Sequence, residues 1–159
     1  MMISTRGRYC LRVMIDLAEH QGEGYIRMKD VANRQGISLK YLEKILPVLA
    51  KNNIVDGIQG KGGGYRLTRK PEEYTLREIL QLTEGSLAAV SCTSQGPAAC
   101  DRSECCQTKP MWDRLDKMID GFFESITLDD LIKESKVQHH APPEPERGMI
   151  VSKNLQISV

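Results

Sequence analysis

The feature of this sequence that most restricts its fold is a glycine turn between two short amphipathic segments, followed at once by a glycine-rich hairpin. Apolar residues at helical spacing predict one helix over residues 28–35 and a second from its N-cap Ser38 to about Asn52. Gly36 lies between them, where the left-handed backbone that ends a helix favours glycine. Two helices joined by such a turn are typical of a helix-turn-helix unit. Pro47 is expected to kink or divide the second helix.

A β-hairpin is predicted directly after this unit. Residues 54–58 and 65–68 form two short apolar strands, and the loop between them contains four glycines. No Ser or Thr follows Lys61, so the loop does not match the pattern that cradles nucleotide phosphates. We therefore expect a mainly α fold with a small β-hairpin wing, in which residues 1–85 form a winged helix-turn-helix domain.

The second half of the chain predicts a cysteine-rich loop and a long helix. Residues 91–108 are short of apolar side chains and are expected to form a loop, and the cysteine-rich segment as a whole is placed at residues 86–108. The helix that starts at Pro110 and ends near Ser125 has a wide apolar stripe, which favours packing against the same helix of a second subunit. Together with a following helix it forms a dimerisation unit over residues 109–134. The periodicity then stops, and residues 135–159 are expected to be a disordered tail.

Charge is divided unevenly between the two parts of the chain. Residues 1–70 have a net charge of +7 and the remainder −6, which favours contact of the first part with a polyanion. No segment is apolar enough to span a membrane and no secretory signal is present, so a cytoplasmic location is expected. An enzyme is not expected, because no Ser/His/Asp set is evident and the three histidines lie at a helix end and in the tail.

Double-stranded DNA is the polyanion that this fold predicts as a partner. The first residues of a recognition helix face the base edges of the major groove, and a wing contacts the backbone or the minor groove. Glu43 has two interpretations, acceptance of a hydrogen bond from cytosine or an ion pair with Lys40 or Lys44. Arg66 and Arg69 add charge near the wing. The predicted DNA-binding residues are Ser38, Lys40, Tyr41, Glu43, Lys44, Gln59, Gly60 and Lys61.

Four of the five cysteines lie within fifteen residues, at positions 92, 100, 105 and 106. Thiolates so close together on a loop suit a soft metal centre, either zinc or an iron–sulfur cluster. The Cys-x-x-Cys spacing of a zinc knuckle is missing. A thiol redox switch with Cys105 or Cys106 as the reactive group is the interpretation without metal. Cys10 lies on the apolar stripe of a helix predicted over residues 5–20 and is expected to be structural.

Four motifs, in this order, resemble the IscR-type family of transcription regulators, which includes the nitric-oxide sensor NsrR and the cysteine-metabolism regulator CymR. They are STRGRY at 4–9, GISLKYLE at 36–43, GKGGGY at 60–65 and ITLDDL at 126–131. The resemblance covers residues 2–134. It implies a homodimer with the long helix at its interface and two winged domains that bind a palindromic operator.

The resemblance also implies a set of metal ligands. Three loop cysteines hold a 2Fe–2S or 4Fe–4S cluster in this family, and Cys92, Cys100 and Cys106 occupy their positions, with Cys106 matched through its distance to Trp112. Two departures concern the fourth ligand: Lys109 replaces the histidine of IscR, and Arg8 replaces an aspartate of NsrR-like proteins. The remaining candidates are Cys105, Glu104, Asp101 and an exogenous thiol. Gln59 is a further departure, because wings of this family often carry arginine there.

The leading hypothesis is a regulator, acting as repressor or activator, that senses cluster status and controls iron–sulfur assembly genes. Ligation of a cluster would order residues 91–108 and change the spacing of the two recognition helices. Sensing of nitric oxide or of thiol oxidation on the same scaffold is the alternative. An iron–sulfur carrier that does not bind DNA is the alternative from another class.

Overall fold

The computed structural model describes residues 3–22, 24–60, 62–94, 100 and 102–140. These residues form seven α-helices, one short 3₁₀ helix and one antiparallel hairpin, so the predicted mainly α fold with a β-hairpin wing is confirmed. Within the described part, no helix is long and apolar enough to cross a membrane. The elements are α1 (Thr5–His20), α2 (Met28–Gln35), α3 (Leu39–Lys51), β1 (Val55–Ile58), β2 (Gly64–Leu67), the 3₁₀ helix (Pro71–Glu73), α4 (Leu76–Glu84), α5 (Ser91–Ser94), α6 (Lys109–Glu124) and α7 (Leu128–His140).

Helix α1 is the central element of the core. The Ser4 hydroxyl caps it by accepting hydrogen bonds from the Arg6 and Gly7 amides at 3.1 and 3.2 Å. Its apolar stripe is buried and includes Cys10, as predicted, and α1 contacts α2, α4, α7 and β2. The Ser4 amide and hydroxyl also donate to the Glu84 carboxylate, at 3.2 and 2.8 Å. The start of α1 is therefore tied to the end of α4.

The helix-turn-helix forms as its sequence predicts. Gly36 has a φ of +62°, and its amide donates to the Ala32 carbonyl at the end of α2. Leu42, Ile45, Leu46 and Leu49 are buried on one face of α3. Ser38 precedes α3, but its side chain makes no capping hydrogen bond.

Pro47 does not divide α3, which runs unbroken from Leu39 to Lys51. Proline cannot donate a hydrogen bond to the Glu43 carbonyl, but Pro47 lies on the exposed face, where water can replace the missing donor.

The hairpin is held at its base by buried polar contacts. Its strands pair from Val55 with Leu67 to Ile58 with Gly64. The buried Tyr74 hydroxyl donates to the Ile54 carbonyl at 2.9 Å and accepts from the Thr68 and Arg69 amides at 3.0 and 2.8 Å. The wing is therefore fixed to the segment that leads into α4.

Helix α7 packs into the same core as α1 and α3. Leu128 and Ile132 are buried there. The start of α7 has a capping box, in which the Asp130 carboxylate accepts from the Thr127 amide at 2.8 Å and the Thr127 hydroxyl accepts from the Asp130 amide at 3.2 Å.

The interpretation of residues 135–159 as a disordered tail is wrong for residues 135–140, because α7 continues to His140. A helix that is already nucleated gains one hydrogen bond for each residue added. No glycine or proline interrupts the sequence before Pro142. Residues 141–159 lie outside the described residues.

In the part of the predicted loop at 86–108 that the structure describes, the one regular element is the four-residue helix α5. Elsewhere in the described part of this segment the chain forms turns, such as the one in which the Ser103 amide donates to the Cys100 carbonyl at 3.0 Å. Two side-chain hydroxyls form local hydrogen bonds in α5: the Thr93 hydroxyl donates to the Val90 carbonyl and the Ser94 hydroxyl to the Ser91 carbonyl.

Candidate nucleic-acid interface and cysteine segment

The start of α3 presents a polar surface to solvent. Opposite its buried apolar stripe, the predicted base-contacting side chains are exposed, and Tyr41 is half-buried. Among the ion pairs of the described residues none involves Glu43, so the sequence-based alternative of a pair with Lys40 or Lys44 is not observed. The exposed predicted residues of α3 and its N-cap are Ser38, Lys40, Glu43 and Lys44.

Tyr41 is held in place by an aromatic residue of α1 that the sequence-based prediction of DNA contacts did not include. The rings of Tyr9 and Tyr41 pack edge to face, with centroids 5.4 Å apart and an angle of 75° between the planes. Tyr9 belongs to the first of the four motifs, at residues 4–9, and this was the signal that could have identified it.

The wing exposes residues with little side-chain charge. Gln59 and Gly60 are exposed, and Ile58 is an exposed apolar side chain (52%) beside them. Gly60 and Gly62 have φ values of +101° and +85°, a backbone conformation that residues other than glycine rarely adopt. Lys61, which the sequence places at the wing tip, lies outside the described residues.

Arg66 and Arg69 do not supply free positive charge near the wing, contrary to the expectation from sequence. Arg66 forms an ion pair with Asp56 at 3.1 Å and Arg69 one with Glu78 at 2.7 Å. Both guanidinium groups also lie over tyrosine rings, 4.6 Å from the centroid of Tyr25 and 4.3 Å from that of Tyr74. Each arginine is therefore neutralised within the chain, and both stabilise the wing.

All five cysteines are free thiols. Cys10 is buried in α1, and burial raises the pKa of its thiol to about 12, so it stays protonated and unreactive at neutral pH. Cys92 lies on α5 and is half-buried, as are Cys100 and Cys106, whereas Cys105 is exposed.

Cys106 lies just before the first turn of α6. Its sulfur is 3.3 Å from the Thr108 hydroxyl oxygen. Hydrogen bonds from the Thr108 side chain, and then from the backbone amides of Thr108 and Lys109, lower the pKa of Cys106, and the positive charge of Arg102 adds to this effect. Cys106 is therefore the cysteine of this segment whose surroundings favour the thiolate, the form that ligates metals and reacts with oxidants.

Lys109 is the first residue of α6. Its ammonium forms an ion pair with Asp113 at 2.7 Å. The hydrogen bond that the ammonium donates to Asp113 is the largest cause that raises the pKa of Lys109, and negative charge on Asp113, Cys92 and Cys106 raises it further. Cys92 and Cys106 therefore both act electrostatically on the same cation.

The cysteine segment is anchored to α6 at a second point. The Asp116 carboxylate accepts a hydrogen bond from the Ala89 amide at 2.8 Å, two residues before α5. Helix α6 in turn contacts α4 through the ion pair of Arg77 with Asp120 at 3.2 Å. A continuous set of polar contacts therefore connects the residues near Cys92 with the winged domain.

The donor atoms of this segment suit an iron–sulfur cluster in kind, because all are soft, partly exposed thiols. Their arrangement is open: among the described residues, no three Cys, His, Asp or Glu side chains stand close enough to hold a metal ion. Asp101, one of the candidates for a fourth ligand, lies outside the described residues. Binding of one cluster by all three cysteines would therefore require Cys92, Cys100 and Cys106 to move closer together.

Comparison with known proteins agrees with this geometry. A family model described as Rrf2, iron-dependent transcriptional regulator, matches residues 3–134. The HTH-type transcriptional regulator IscR of Photorhabdus laumondii is 36% identical over 137 residues, which are 86% of this chain and 82% of that protein.

Two solved structures have the same architecture. The structure of T. potens IscR superposes with a TM-score of 0.70 at 34% identity and covers 89% of this chain and 93% of its own. That of CymR, the global cysteine regulator of B. subtilis, gives 0.68 at 32% identity and covers 84% and 98%. These relatives are named as regulators and not as enzymes. The chain therefore belongs to the Rrf2 family of DNA-binding transcriptional regulators.

Proposed function

We propose that this regulator acts in the cytoplasm as a homodimer and changes its affinity for a palindromic operator when Cys92, Cys100 and Cys106 bind an iron–sulfur cluster. The genes for iron–sulfur assembly are its proposed targets, and the description of its family as iron-dependent supports a signal that involves iron. The observation that supports the proposal most directly is that Cys92 on α5 and Cys106 just before α6 are half-buried free thiols on two helices that contact each other. Free thiols throughout suit a reducing compartment.

A homodimer through α6 is supported by the apolar surface of this helix. None of its residues is buried within the chain. Met118 is 71% exposed and Phe122 59%, and Met111 extends the same surface. A second copy of α6 would cover this surface and pair two recognition helices, which a palindromic operator requires.

The contacts of the cysteine segment suggest how the signal reaches the DNA-binding domain. A bound cluster supplies a rigid inorganic centre that is lost on oxidation or iron limitation. Asp116 holds the chain before Cys92 on α6, while Arg77 and Asp120 join α6 to α4. Movement of residues 86–108 would therefore shift α6 relative to α4, and with it the two winged domains.

Anaerobic purification, followed by iron and sulfide analysis and an absorption spectrum, tests this function. We expect stoichiometric iron and sulfide in the wild type and loss of both in Cys92→Ala. Cys10→Ala is the matched control, because this thiol is buried away from the site. Zinc, or no metal after reconstitution, would contradict the proposal, as would equal affinity of the cluster-bound and cluster-free forms for the same operator at fixed salt.

A thiol switch is the second candidate, and the surroundings of Cys106 favour it. A Cys106 thiolate can attack hydrogen peroxide, forming a sulfenic acid and releasing one hydroxide. The Cys92 thiolate can then attack the sulfenic sulfur of Cys106, forming a disulfide and releasing the sulfenic hydroxyl group as a second hydroxide. Metal-free protein distinguishes the two functions. Under this second function, peroxide changes DNA affinity of the metal-free wild type and not of Cys106→Ser. Lack of any such response leaves the cluster as the sensing group.

A further inference from the structure

Helix α1 contains an exposed cation that the described contacts leave unneutralised. The Arg12 guanidinium donates from Nε to the Gln35 side-chain oxygen at 3.1 Å and from Nη2 to the Gln35 carbonyl. Both acceptors are neutral, and among the described residues no carboxylate pairs with Arg12. Arg34, the residue before Gln35, is by contrast paired with Asp16 at 2.7 Å.

The orientation of Arg12 is fixed from the core. The Gln35 amide nitrogen donates to the Asp16 carboxylate at 3.0 Å, which turns the amide oxygen toward Arg12. Asp16 is fully buried and also accepts three hydrogen bonds from Arg34, so the amide has little freedom to rotate. A guanidinium held in this way loses less conformational entropy when it binds a second group.

Arg12 lies on the same surface as the start of the recognition helix. Its guanidinium carbon is 5.4 Å from the centre of the Tyr9 ring, and Tyr9 packs against Tyr41 of α3. Two of the five guanidinium N–H groups are used by Gln35, and three are left for an anionic ligand. A phosphate is the anion that a guanidinium fork matches best.

We propose that Arg12 binds a backbone phosphate of DNA, next to the site of Tyr41, so that α1 is part of the DNA interface. In this arrangement Gln35 and Asp16 act as positioning residues for Arg12. The inference rests on the DNA-binding function of the chain and is independent of cluster binding. It assigns a function to an arginine that is absent from the set of DNA-binding residues predicted from the sequence.

The salt dependence of DNA binding tests this proposal. The probe is a fluorescein-labelled, mixed-sequence 30-base-pair duplex, with binding followed by fluorescence anisotropy from 50 to 200 mM salt. For Arg12→Gln, we expect the slope of log K against log salt to become less steep by about 0.9 for each subunit that contacts DNA. Arg12→Lys should keep the slope, because it keeps the charge.

Two further variants separate a phosphate contact from other effects. Lys133→Gln removes one positive charge at a side chain of α7 that is paired with Asp129, and it should leave the slope unchanged. Gln35→Ala should weaken binding at every salt concentration without changing the slope, because Arg12 keeps its charge and loses its fixed orientation. An unchanged slope in Arg12→Gln, or an equal change in Lys133→Gln, would overturn the proposal.

A measurement on the wild type covers the case in which Arg12→Gln does not fold. Phenylglyoxal modifies exposed arginines, and mass spectrometry locates the products. DNA should protect Arg12 and leave the labelling of the exposed Arg114 on α6 unchanged. Equal labelling of Arg12 with and without duplex contradicts the proposal. Absence of any duplex binding by the wild type would instead contradict the DNA-binding function itself.

Discussion

Among the described residues, Asp16 is the charged side chain that is completely buried, and it connects α1 with the end of α2. Arg34 binds it through Nη2 at 2.7 Å and Nε at 3.0 Å, and the Gln35 amide adds a third donor at 3.0 Å. Removing one partner of a buried ion pair leaves the other group unpaired. The effect of Asp16 on the free energy of unfolding should therefore be seen mainly when its pair with Arg34 is broken.

Asp16→Asn should therefore destabilise the protein. We expect a decrease of about 2–3 kcal/mol in the free energy of unfolding, measured by urea denaturation. The control is Asp30→Asn, which breaks the exposed pair with Arg27 and should cost less than about 1 kcal/mol. Equal losses for both substitutions would show that burial of Asp16 contributes nothing to its effect.

The same carboxylate should make stability depend on pH. Burial raises the pKa of Asp16, but hydrogen bonds from Arg34 and Gln35 and the charge of Arg34 outweigh it, so the net shift is downward from 3.8. Its stabilising contribution is therefore complete above about pH 4 to 5 and is lost as the pH falls through the lowered pKa. The difference in stability between wild type and Asp16→Asn should shrink in acid. A difference that stayed constant down to pH 2 would contradict this prediction.

Lys109 is the residue at which the cysteine segment departs most from the IscR-type pattern that was used to assign its ligands. An ammonium cannot ligate iron, whereas an imidazole can. If Cys92, Cys100 and Cys106 hold a cluster, Lys109→His should slow its loss to a chelator several-fold, as followed by the decay of visible absorption. Lys109→Gln removes the same charge without adding a ligand and should not slow that loss. Equal rates in the histidine and glutamine variants would place the fourth ligand elsewhere.

At the scale of the elements, local signals predicted most of the helices and the hairpin. The stripe of α1, the glycine after α2 and the N-cap Thr75 of α4, whose hydroxyl accepts from the Glu78 amide, each act within one or two turns of chain. Contacts between residues that are far apart in the sequence could not be predicted from such local patterns. The pairs Asp16–Arg34, Asp56–Arg66 and Arg69–Glu78 depend on the packing of whole elements, so arginines that looked free in the sequence are neutralised in the structure.

The candidate site was predictable to a similar degree. The exposure of the first residues of α3 follows from its amphipathic pattern, and the grouping of the cysteines is visible in the sequence. The contact between α5, which carries Cys92, and α6, which Cys106 precedes, arises from packing that no local pattern specifies. The support of Tyr41 by Tyr9 likewise depends on how α1 meets α3.

Gly64 determines how closely the wing approaches the segment before α2. A Cβ atom at this position would lie 2.2 Å from the Ile26 carbonyl oxygen, and backbone cannot move aside as a flexible side chain can. The neighbouring Tyr65 and Ile26 exchange two backbone hydrogen bonds of 2.9 Å. We expect Gly64→Ala to lower the free energy of unfolding by about 1–3 kcal/mol and to weaken DNA binding. Gly24→Ala, where a Cβ meets open space, is the control and should have little effect.

At the scale of the whole molecule, the exposed apolar side of α6 is the surface through which we expect the chain to assemble. It contacts α4 and α5, yet its apolar residues remain largely outside the core. Arg77 and Asp120 fix the helix on its polar side, while Met118 and Phe122 face solvent. Because a soluble chain rarely exposes such a surface without a partner, oligomeric state and DNA affinity should change together.

Met118→Glu tests this relation. In the single chain the side chain is already 71% exposed, so the substitution should cost little in folding. In a dimer it would bury a carboxylate against apolar side chains, and the cost should separate the subunits. Sedimentation velocity should then show a species near 17.9 kDa in place of one near twice that mass. Affinity for a two-half-site duplex should fall by at least tenfold, because one subunit occupies only one half-site.

Ile58→Glu provides the matched control, since it adds the same charge at another exposed apolar residue, 52% accessible and located on the wing. This variant should weaken DNA binding through repulsion from phosphates while it remains a dimer. A Met118→Glu protein that stayed dimeric would place the subunit interface away from α6, and the apolar surface of α6 would then need a different partner. Loss of dimer in both variants would point to a general effect of added charge, whereas loss in Met118→Glu alone places the subunit contact on α6.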